Sequence, residues 1–455
     1  MTISLATLTI TDKHHNHLAF SAFENYVADS NESVKFKLVT CSDDLEEDFQ
    51  ENDTSNTKAN HNHSDKKSVT RIESFKPEMS YQFFGQNENI FGYKNLCIKL
   101  YYSCARLNIY LGKTYSIMLT KEKTGDIEID EPLKKISNLY ETKVTNNLTE
   151  FCSNLSKEKS FVPYGESVQE FSIDYPKDGE QVQKRYFQLF KADNSIPGFT
   201  AYHERMQTFL MWYIEAASYI DIDDERWDFF VLYEKLPLNP TTNTESMPIE
   251  FQYCFVGYCT IYRYYSYPCN IRPCISQFLI LPPFQRIGLG TNMLKSIYSH
   301  YNVKSTTDIR VEDPSENFQK MRDILDCTLC QNLSNFSPEK LSSGWSKEMA
   351  QEAQEKYKIS SRQARRVYEI LRLKSVNRKN ANEYRSYRLA IKQRLNAPYQ
   401  KQIKDLERVK PKVPKSEYSA LMETNIIPRE TRIHALANQY DLIEADYLNV
   451  IEKLG

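Results

Sequence analysis

Two glycines separated by one residue, Gly288 and Gly290, follow an apolar segment and precede a helical pattern. Glycine is scarce in this chain, with 12 among 455 residues, so the pair is expected to serve a backbone purpose. A strand over Ser276–Leu281, the turn Gln285–Gly290 and a helix from Thr291 would bring free N–H groups and a positive dipole end to the turn. This arrangement suits a pyrophosphate, although an ordinary tight turn could have the same residues.

The turn lacks the marks of two common nucleotide-binding motifs. No Gly-Lys-Ser/Thr follows it, so it is not a Walker loop. The third glycine of the dinucleotide fingerprint is also missing. A phosphate ligand of another kind therefore remains open at this stage.

The surrounding pattern predicts an α/β (α+β) protein with a mixed sheet. Strands are predicted at Trp227–Glu234, Phe251–Tyr265, Pro273–Leu281 and Asp308–Glu312, and a strongly amphipathic helix at His203–Ile220. We predict three domains. Residues 1–150 would form an N-terminal α/β domain with a disordered insertion at 42–70, 151–345 an α/β core, and 346–455 a basic helical domain interrupted by prolines.

The charge is distributed unevenly along the chain. The window Lys356–Lys415 contains 19 lysines and arginines against 4 acidic residues, a net of +15, so the rest carries −17 of the total of −2. An acidic body attracts basic partners or substrates. The basic window could bind nucleic acid or an acidic protein, or form a solvated helical face.

Composition makes several classes of protein improbable. The longest apolar runs are far shorter than the ~18 residues of a membrane helix, and the N-terminus lacks the pattern of a secretory signal. Ten cysteines without a regular framework are typical of reduced thiols in the cytosol or nucleus. Cys327 and Cys330 form a lone CxxC, and His61 and His63 are isolated, so we predict no metal site.

The glycine turn and several other stretches of this sequence resemble motifs of a known family. Gln285-Arg-Ile-Gly-Leu-Gly290 after an apolar strand resembles the motif with which the GCN5-related N-acetyltransferase superfamily holds coenzyme A. Further stretches resemble type B histone acetyltransferase catalytic subunits over roughly residues 71–400. They are Phe75–Glu78, Gln82–Gly85, Ile90–Lys94, Tyr202–Trp212, Asp223–Trp227, Arg272–Gly290, Glu312–Ser315, Arg365–Leu373 and Tyr384–Leu389.

The resemblance implies acetyl-coenzyme A as cosubstrate and a superfamily core at 151–345. The pyrophosphate would be held by the turn, and the pantetheine arm by backbone groups of the preceding strand. The implied cofactor-binding residues are Phe278, Leu279, Ile280, Gln285, Arg286, Ile287, Gly288, Leu289, Gly290 and Thr291.

Acetyl transfer to lysine needs a base, because free lysine has a pKa of about 10.4 and only the neutral amine attacks. A suitable carboxylate should be partly buried at a strand end near the thioester. Glu312 fits this position, and the resemblance implies that role for it. Glu215, which interrupts an apolar helix face, and Asp313 are further candidates. Cys274 leaves open a covalent route through an acyl-cysteine.

For the substrate, the resemblance implies contacts to a histone tail from two segments. One is Tyr262-Arg263-Tyr264, where aromatic walls could hold a lysine stem. The other is an acidic trio at the position of Gln86, Asn87 and Glu88, of which this chain retains only Glu88.

The implied function is acetylation of the tails of newly made, free core histones, chiefly histone four, by direct attack in a ternary complex. A WD40 β-propeller histone-binding subunit and histone chaperones are the implied partners, in cytoplasm and nucleus and away from membranes. Two alternatives remain: a non-histone lysine acetyltransferase, and a nucleic-acid or chaperone-binding module with a degenerate core.

Overall fold

The structure is a computed structural model that describes residues 23–45, 72–124, 127–177, 180–238 and 250–454. The chain divides into two compact units. The first comprises Met1–Tyr262 and Ser276–Leu289, and the second Arg263–Ile275 and Gly290–Gly455. The domain boundaries proposed at 150 and 345 stay a prediction. His61 and His63 lie outside the described residues.

Fourteen strands are present in the described part of the chain. They are β1 (Val27–Asp29), β2 (Val34–Val39), β3 (Asn89–Phe91), β4 (Tyr93–Lys94), β5 (Cys97–Ser103), β6 (Ile109–Thr114), β7 (Ile117–Met118), β8 (Val144–Thr145), β9 (Glu166–Lys177), β10 (Glu180–Ala192), β11 (Trp227–Pro237), β12 (Phe251–Ser266), β13 (Asn270–Ile280) and β14 (Arg310–Val311).

Fifteen α-helices accompany them in the same described ranges. They are α1 (Ser30–Ser33), α2 (Tyr81–Phe84), α3 (Lys121–Thr124), α4 (Pro132–Leu139), α5 (Leu148–Leu155), α6 (Phe199–Gln207), α7 (Leu210–Tyr213), α8 (Leu289–Tyr301), α9 (Glu316–Cys330), α10 (Pro338–Ser343), α11 (Lys347–Tyr357), α12 (Ser361–Ser375), α13 (Ala381–Val409), α14 (Lys415–Asn425) and α15 (Arg429–Leu454).

The sheets are mixed, which confirms the predicted α/β class. A six-stranded sheet has the order β14-β13-β12-β11-β10-β9, and a four-stranded sheet the order β2-β5-β6-β8. In the larger sheet, β14 pairs with β13 in parallel, whereas β12, β11, β10 and β9 pair successively in antiparallel fashion. The four core strands predicted from the sequence are therefore present, with β14 shorter than expected.

Aromatic packing fixes the segment between β10 and β11. Trp212 is fully buried, stacks on Phe83 at a ring-centroid distance of 3.9 Å, and donates its indole N–H to the Tyr140 hydroxyl at 2.8 Å. Phe36 contacts the same indole edge to face at 5.5 Å. Because a buried indole needs a hydrogen-bond partner, Tyr140 lets Trp212 sit in an apolar core without an unpaired donor.

The predicted helix His203–Ile220 is wrong at its C-terminal end. Two shorter helices, α6 and α7, replace it, and the helical backbone stops at Tyr213. Ala216 adopts a left-handed backbone, with φ of 54°, and its N–H donates to the Tyr81 hydroxyl at 2.8 Å. Hydrogen bonds to a distant segment thus outweigh the local helical pattern.

The disorder predicted for residues 42–70 is wrong for the first four of them. Ser42–Leu45 forms a turn of 3₁₀ helix, and the Asp44 carboxylate accepts hydrogen bonds from the Thr40 N–H and hydroxyl. Leu45 is fully buried in a cluster with Val39 and Phe151. One apolar side chain and one capping carboxylate order these four residues, and residues 46–70 of the insertion lie outside the described residues.

The C-terminal part is helical, as predicted, but Pro398 does not break it. Pro398 lies inside α13, whereas Pro411 and Pro414 stand between α13 and α14. Proline removes one backbone hydrogen bond, and the continuous helix accepts this loss at an exposed position. No helix among the described residues is long and apolar enough to span a membrane.

Three cations of the basic window are structural. Arg394 donates to both oxygens of the buried Glu369 carboxylate at 2.6 and 2.9 Å, Arg365 approaches the same group, and Arg366 pairs with buried Asp323 at 2.7 Å. Of the 19 lysines and arginines, 13 are exposed. Most of this charge therefore faces solvent, and its role as a docking surface stays a prediction.

A buried carboxylate gives the second unit a pH-dependent stability. Asp326 is fully buried on α9, where burial raises its pKa to about 6 despite Arg322 at 3.4 Å and a hydrogen bond from Gln363. The folded protein then retains a proton that the unfolded chain releases near pH 4. This contribution to stability is present below pH 4 and is lost as the pH rises through 6.

We expect Asp326→Asn to remove this pH dependence. Relative to wild type, the variant's free energy of unfolding should rise between pH 4 and pH 7 by roughly 2–3 kcal/mol, the equivalent of the pKa shift. Chemical denaturation at a series of pH values measures it. Asp441→Asn, at an exposed position of α15, is the control. A constant difference between Asp326→Asn and wild type across this range would contradict the assignment.

Candidate active site

The glycine turn has a backbone that glycine makes possible. Arg286 and Gly288 have φ of 65° and 88°, whereas Ile287 between them is not left-handed. Alternation of this kind makes a concavity lined by backbone N–H groups, which suits an anion. A side chain at Gly288 would meet no atom within 4 Å, so the turn presents its surface to solvent.

Side chains flanking the turn hold it to the protein instead of facing a ligand. Gln285 donates its amide N–H to the Ile280 carbonyl at 2.8 Å, which ties the turn to the end of β13. Phe284 and Leu289 are buried at 1% exposure. Because its side chain is buried, Leu289 could contact a ligand only through its backbone. Helix α8 begins at Leu289, two residues earlier than predicted, and contains Gly290 and Thr291 in its first turn.

Glu312 lies where the parallel strand ends. Arg310 and Val311 pair with Cys274 and Ile275 of β13, and the Glu312 N–H donates to the Ile275 carbonyl at 2.9 Å. Asp313 then turns the chain away from the sheet with φ of 32°. Glu312 and Asp313 are both exposed, so the partial burial expected of Glu312 is wrong.

Cys274 is close enough to Glu312 to feel its charge. Burial, reinforced by the negative charge of Glu312, raises the pKa of the Cys274 thiol to about 11. A cysteine nucleophile reacts as the thiolate. The environment of Cys274 therefore disfavours a covalent acyl-cysteine route and places a carboxylate beside β13.

The tyrosine segment of β12 is anchored by an acidic loop. Tyr262 donates its hydroxyl to Asp224 at 2.9 Å, stacks edge to face with Trp227 at 4.9 Å, and lies under the Arg226 guanidinium at 4.9 Å. Hydrogen bonds from Arg226 to Asp224 hold the pKa of that carboxyl below its usual range. This aromatic wall is thus rigid and half-buried, as a surface for an aliphatic lysine stem should be.

Comparison with known proteins decides the family. Two family models match the chain, "Histone acetyl transferase HAT1 N-terminus" at residues 26–215 and "Histone acetyltransferase type B catalytic subunit, C-terminal" at 322–373. The human histone acetyltransferase type B catalytic subunit is 38% identical over 94% of each chain. The chain belongs to the family of type B histone acetyltransferase catalytic subunits.

More distant relatives carry the same description. The protein from Cryptococcus neoformans is 28% identical, covering 94% of this chain and 98% of its own. One from Dictyostelium discoideum is 30% identical over 84% of this chain and 78% of its own. An aminoglycoside acetyltransferase from a soil metagenomic sample aligns with 28% of this chain and 78% of its own, at 14% identity and a TM-score of 0.20, too low to support a conclusion.

With the family established, each proposed site residue can be placed. The turn residues Gln285 to Thr291 and the strand residues Phe278 to Ile280 are consecutive parts of one strand–turn–helix, as predicted. Glu215 is in an exposed turn after α7, so the apolar helix face that made it a candidate base does not exist there. The roles of Glu312, Asp313 and Glu215 in catalysis stay predictions.

The acidic residue of the second substrate segment is occupied within the protein. One Glu88 carboxylate oxygen accepts the Ser80 N–H at 2.5 Å, and the other accepts the Asn31 amide at 2.9 Å. Gln86 and Asn87 are exposed in the turn before it. Glu88, itself left-handed with φ of 49°, therefore fastens this turn, and its charge is not available in full to a basic tail.

The sequence analysis missed Gln277, which joins three elements. Its backbone N–H donates to the Thr260 hydroxyl at 3.1 Å, and its side-chain amide donates to the Ser218 carbonyl at 3.1 Å. The loop after α7 is thereby attached to β13 next to Phe278. A polar residue within the apolar run Cys274–Leu281 was the available signal, because a buried amide requires partners.

We expect Glu312→Gln to lower turnover by about 10²–10⁴ at neutral pH, the range for loss of a general base. The loss should shrink toward pH 10, where the lysine amine becomes neutral without help. The measurement is kcat against pH with a lysine peptide. Glu316→Gln, at an exposed position of α9, is the control and should change kcat by less than about threefold. A pH profile of Glu312→Gln parallel to wild type would remove Glu312 from this role.

We expect Glu88→Ala to act on stability and not on substrate binding. It leaves the Ser80 N–H and the Asn31 amide without their acceptor, which should cost roughly 1–3 kcal/mol. Thermal unfolding and the KM for a basic peptide measure the two effects. Glu73→Ala, at an exposed position outside both substrate segments, is the control. A rise in KM of the Glu88 variant without a change in unfolding would show instead that Glu88 contacts the substrate.

Proposed function

We propose that this chain transfers the acetyl group of acetyl-coenzyme A to a lysine in the N-terminal tail of newly made, free core histones, chiefly histone four, before chromatin assembly. The observation that carries the proposal is the left-handed, solvent-facing turn at Arg286–Gly288 between β13 and α8. Family membership supports the substrate class, since the relatives are named histone acetyltransferases.

In the proposed reaction, backbone N–H groups of the turn and the first turn of α8 hold the diphosphate. Backbone groups of Phe278–Ile280 hold the pantetheine arm and polarise the thioester carbonyl. Thr291 and Gly290 lie at the helix start, where the dipole favours a negative charge. Open space beside Gly288 leaves room for the diphosphate, so the residues present fit this cosubstrate.

Glu312 takes a proton from the lysine ammonium, directly or through water, because its exposed side chain lies at the end of β14. The neutral amine attacks the thioester carbon; the C–N bond forms and the C–S bond breaks. The departing thiolate takes up the proton that the attacking nitrogen loses, which gives the neutral amide and the free thiol of coenzyme A. No enzyme nucleophile takes part, in keeping with the raised pKa of Cys274.

Tyr262, Arg263 and Tyr264 are proposed to contact the tail, with the acidic loop behind Tyr262 attracting its positive charge. The tail lysines would pass along the aromatic wall. The acidic remainder of the chain, with its net charge of −17 outside the basic window, favours approach of a basic partner.

We extend the proposal to a WD40 β-propeller histone-binding subunit and histone chaperones as partners, and to cytoplasm and nucleus as the locations. Family membership is the support for both. Free histones pass from one compartment to the other before they are deposited, so an enzyme acting on them would be needed along that route.

The test is transfer of radiolabelled acetyl from acetyl-coenzyme A to a histone four tail peptide. We expect transfer by wild type and by Cys274→Ser, with the intersecting double-reciprocal plots of a ternary complex. A peptide of scrambled sequence and equal charge is the substrate control. Equal rates on both peptides would favour a general lysine acetyltransferase, and coenzyme binding without transfer would favour a degenerate core.

Gly288→Asp tests the turn by itself. A carboxylate there should repel the diphosphate and weaken coenzyme A binding at least about tenfold, or 1.4 kcal/mol, in calorimetry. Gly344→Asp is a matched control, because Gly344 is also left-handed, with φ of 108°, and also has open space at its Cβ position. Equal losses in both variants would contradict the assignment of the turn.

A further inference from the structure

The C-terminal helices include a hairpin that has no core of its own. It comprises residues 398–425, all of which the structure describes: the second half of α13, the link 410–414, and α14. None of these residues is buried, whereas the first half of α13 buries Tyr387 and Ile391. An isolated helix as short as α14 is marginal in water, because most helical stability comes from a packed apolar face. Leu421 on α14 is instead exposed. The hairpin 398–425 therefore lacks the packing that such helices need.

An open groove of about 420 Å³ lies between the two helices of this hairpin. The apolar side chains that line it are Pro398, Leu406 and Val409. Pro398 follows the buried Ile391 by seven residues, which is about two helical turns, so the groove continues the core-facing side of α13. The Gln402 amide donates to the Asn425 carbonyl at 2.8 Å, which joins the two helices beside the groove. The groove is thus a partly apolar seam that the described residues leave open.

Positive charge follows one edge of the groove. Lys401 lines it, and Lys404 and Arg408 follow at intervals of three and four residues, so the three cations share one side of α13. All three are exposed. Asp405, which also lines the groove, is paired with Arg408 at 3.1 Å. Residues 401–415 contain six lysines and arginines and two acidic residues, a net of +4, whereas the hairpin as a whole has a net of +2. The excess positive charge thus lies on α13 and the link, next to the groove.

Shape and charge together select the kind of partner that fits this groove. An amphipathic helix can lay its apolar face into a groove and contact it at intervals of three and four residues. Carboxylates beside that face would meet the cations along the edge. Nucleic acid would also neutralise these cations, but its phosphates would leave the apolar lining uncovered. An acidic amphipathic helix satisfies both features of the groove.

We propose that the groove between α13 and α14 binds an acidic amphipathic helix of a partner protein. The apolar face of that helix covers Leu406 and Val409, and its carboxylates pair with Lys401, Lys404 and Arg408. Binding supplies the packed face that α14 lacks. The proposal goes beyond acetyl transfer and does not depend on it, because none of these residues belongs to the candidate active site.

The test uses the full chain and a fluorescent synthetic peptide of about five helical turns, with a leucine stripe flanked by glutamates. Fluorescence anisotropy measures its binding. A second peptide of the same composition, with its leucines distributed around the helix, has equal charge but no apolar face. We expect the striped peptide to bind at least about tenfold more tightly than the second, because only the striped peptide has an apolar face to bury in the groove. Its affinity should also fall as salt is added.

Leu406→Asp tests the apolar lining of the groove. We expect it to weaken binding of the striped peptide at least about tenfold, because it sets a charge against the apolar face of the bound helix. Leu389→Asp is the matched control, since Leu389 is an exposed leucine of the same helix, upstream of the hairpin. Its affinity should stay within about twofold of wild type, as expected for a surface substitution away from the contact.

Charge reversal keeps the proposal testable if Leu406→Asp disturbs the hairpin. The double variant Lys401→Glu, Lys404→Glu should weaken the striped peptide at least about tenfold, because its glutamates are then repelled. The control is Arg385→Glu, Arg388→Glu, which makes the same change in total charge at exposed positions of the first half of α13. Its affinity should stay within about threefold of wild type, since salt screens charges far from the groove. Thermal unfolding of both double variants should match wild type, because no buried residue is changed.

Three results would overturn the proposal. The first is equal binding of the two peptides, or binding of neither. The second is tighter binding of duplex DNA or RNA than of the striped peptide, with a loss in the double variant Lys401→Glu, Lys404→Glu, which would assign this surface to nucleic acid. The third is a dimer in sedimentation that Leu406→Asp dissociates, which would show that a second copy of the chain fills the groove.

Discussion

The candidate site depends on one strand, β13, whose two edges are paired differently. On one edge β12 accompanies it, so closely at Gly257 that no side chain fits between the strands. On the other edge β14 pairs with Cys274 and Ile275 alone. The base candidate Glu312 follows directly after this short pairing, and its N–H donates to the Ile275 carbonyl. After Ile280 the same strand leads directly into the glycine turn and α8.

Polar anchors, more than hydrophobic contacts, shape the surfaces around this strand. Gln277 ties the loop after α7 to β13, Asp224 and Arg226 hold Tyr262, and Glu88 fastens the turn at Gln86 and Asn87. Each anchor uses a charged or amide group that would otherwise be free for a ligand. The remaining recognition elements are the aromatic wall at Tyr262 and the backbone of β13, both of which are rigid and so lose little entropy on binding.

The sequence was informative where a local pattern and the tertiary structure agree. Three features can be recognised from one local stretch of sequence each, because they depend on the backbone of that stretch alone. They are the apolar run before Gln285, the pair Gly288 and Gly290, and the strand before Glu312. The same reasoning found the α/β class and the C-terminal helices. Scarcity of glycine singled out the turn, and it could equally have singled out Gly257, which stands alone within a strand pattern.

Prediction failed where distant contacts outweigh local preference. Past Tyr213 the helix is replaced by two hydrogen bonds to a segment more than 130 residues away in the chain. The Ala216 N–H donates to the Tyr81 hydroxyl, and the Gln82 amide donates to the Ala217 carbonyl. The role of Glu88 as a contact for a basic tail stays a prediction, and its hydrogen bonds from Ser80 and Asn31 are tertiary contacts that the sequence does not display. The strand predicted at Asp308–Glu312 is reduced to Arg310–Val311, because periodicity does not define strand ends to within two residues.

A crystal structure of the chain with bound coenzyme A would test the central claim most directly. We predict that the diphosphate oxygens lie within hydrogen-bonding distance of backbone N–H groups between Arg286 and Thr291, with the pantetheine arm near Phe278–Ile280. Coenzyme A bound away from this turn and strand would contradict the account.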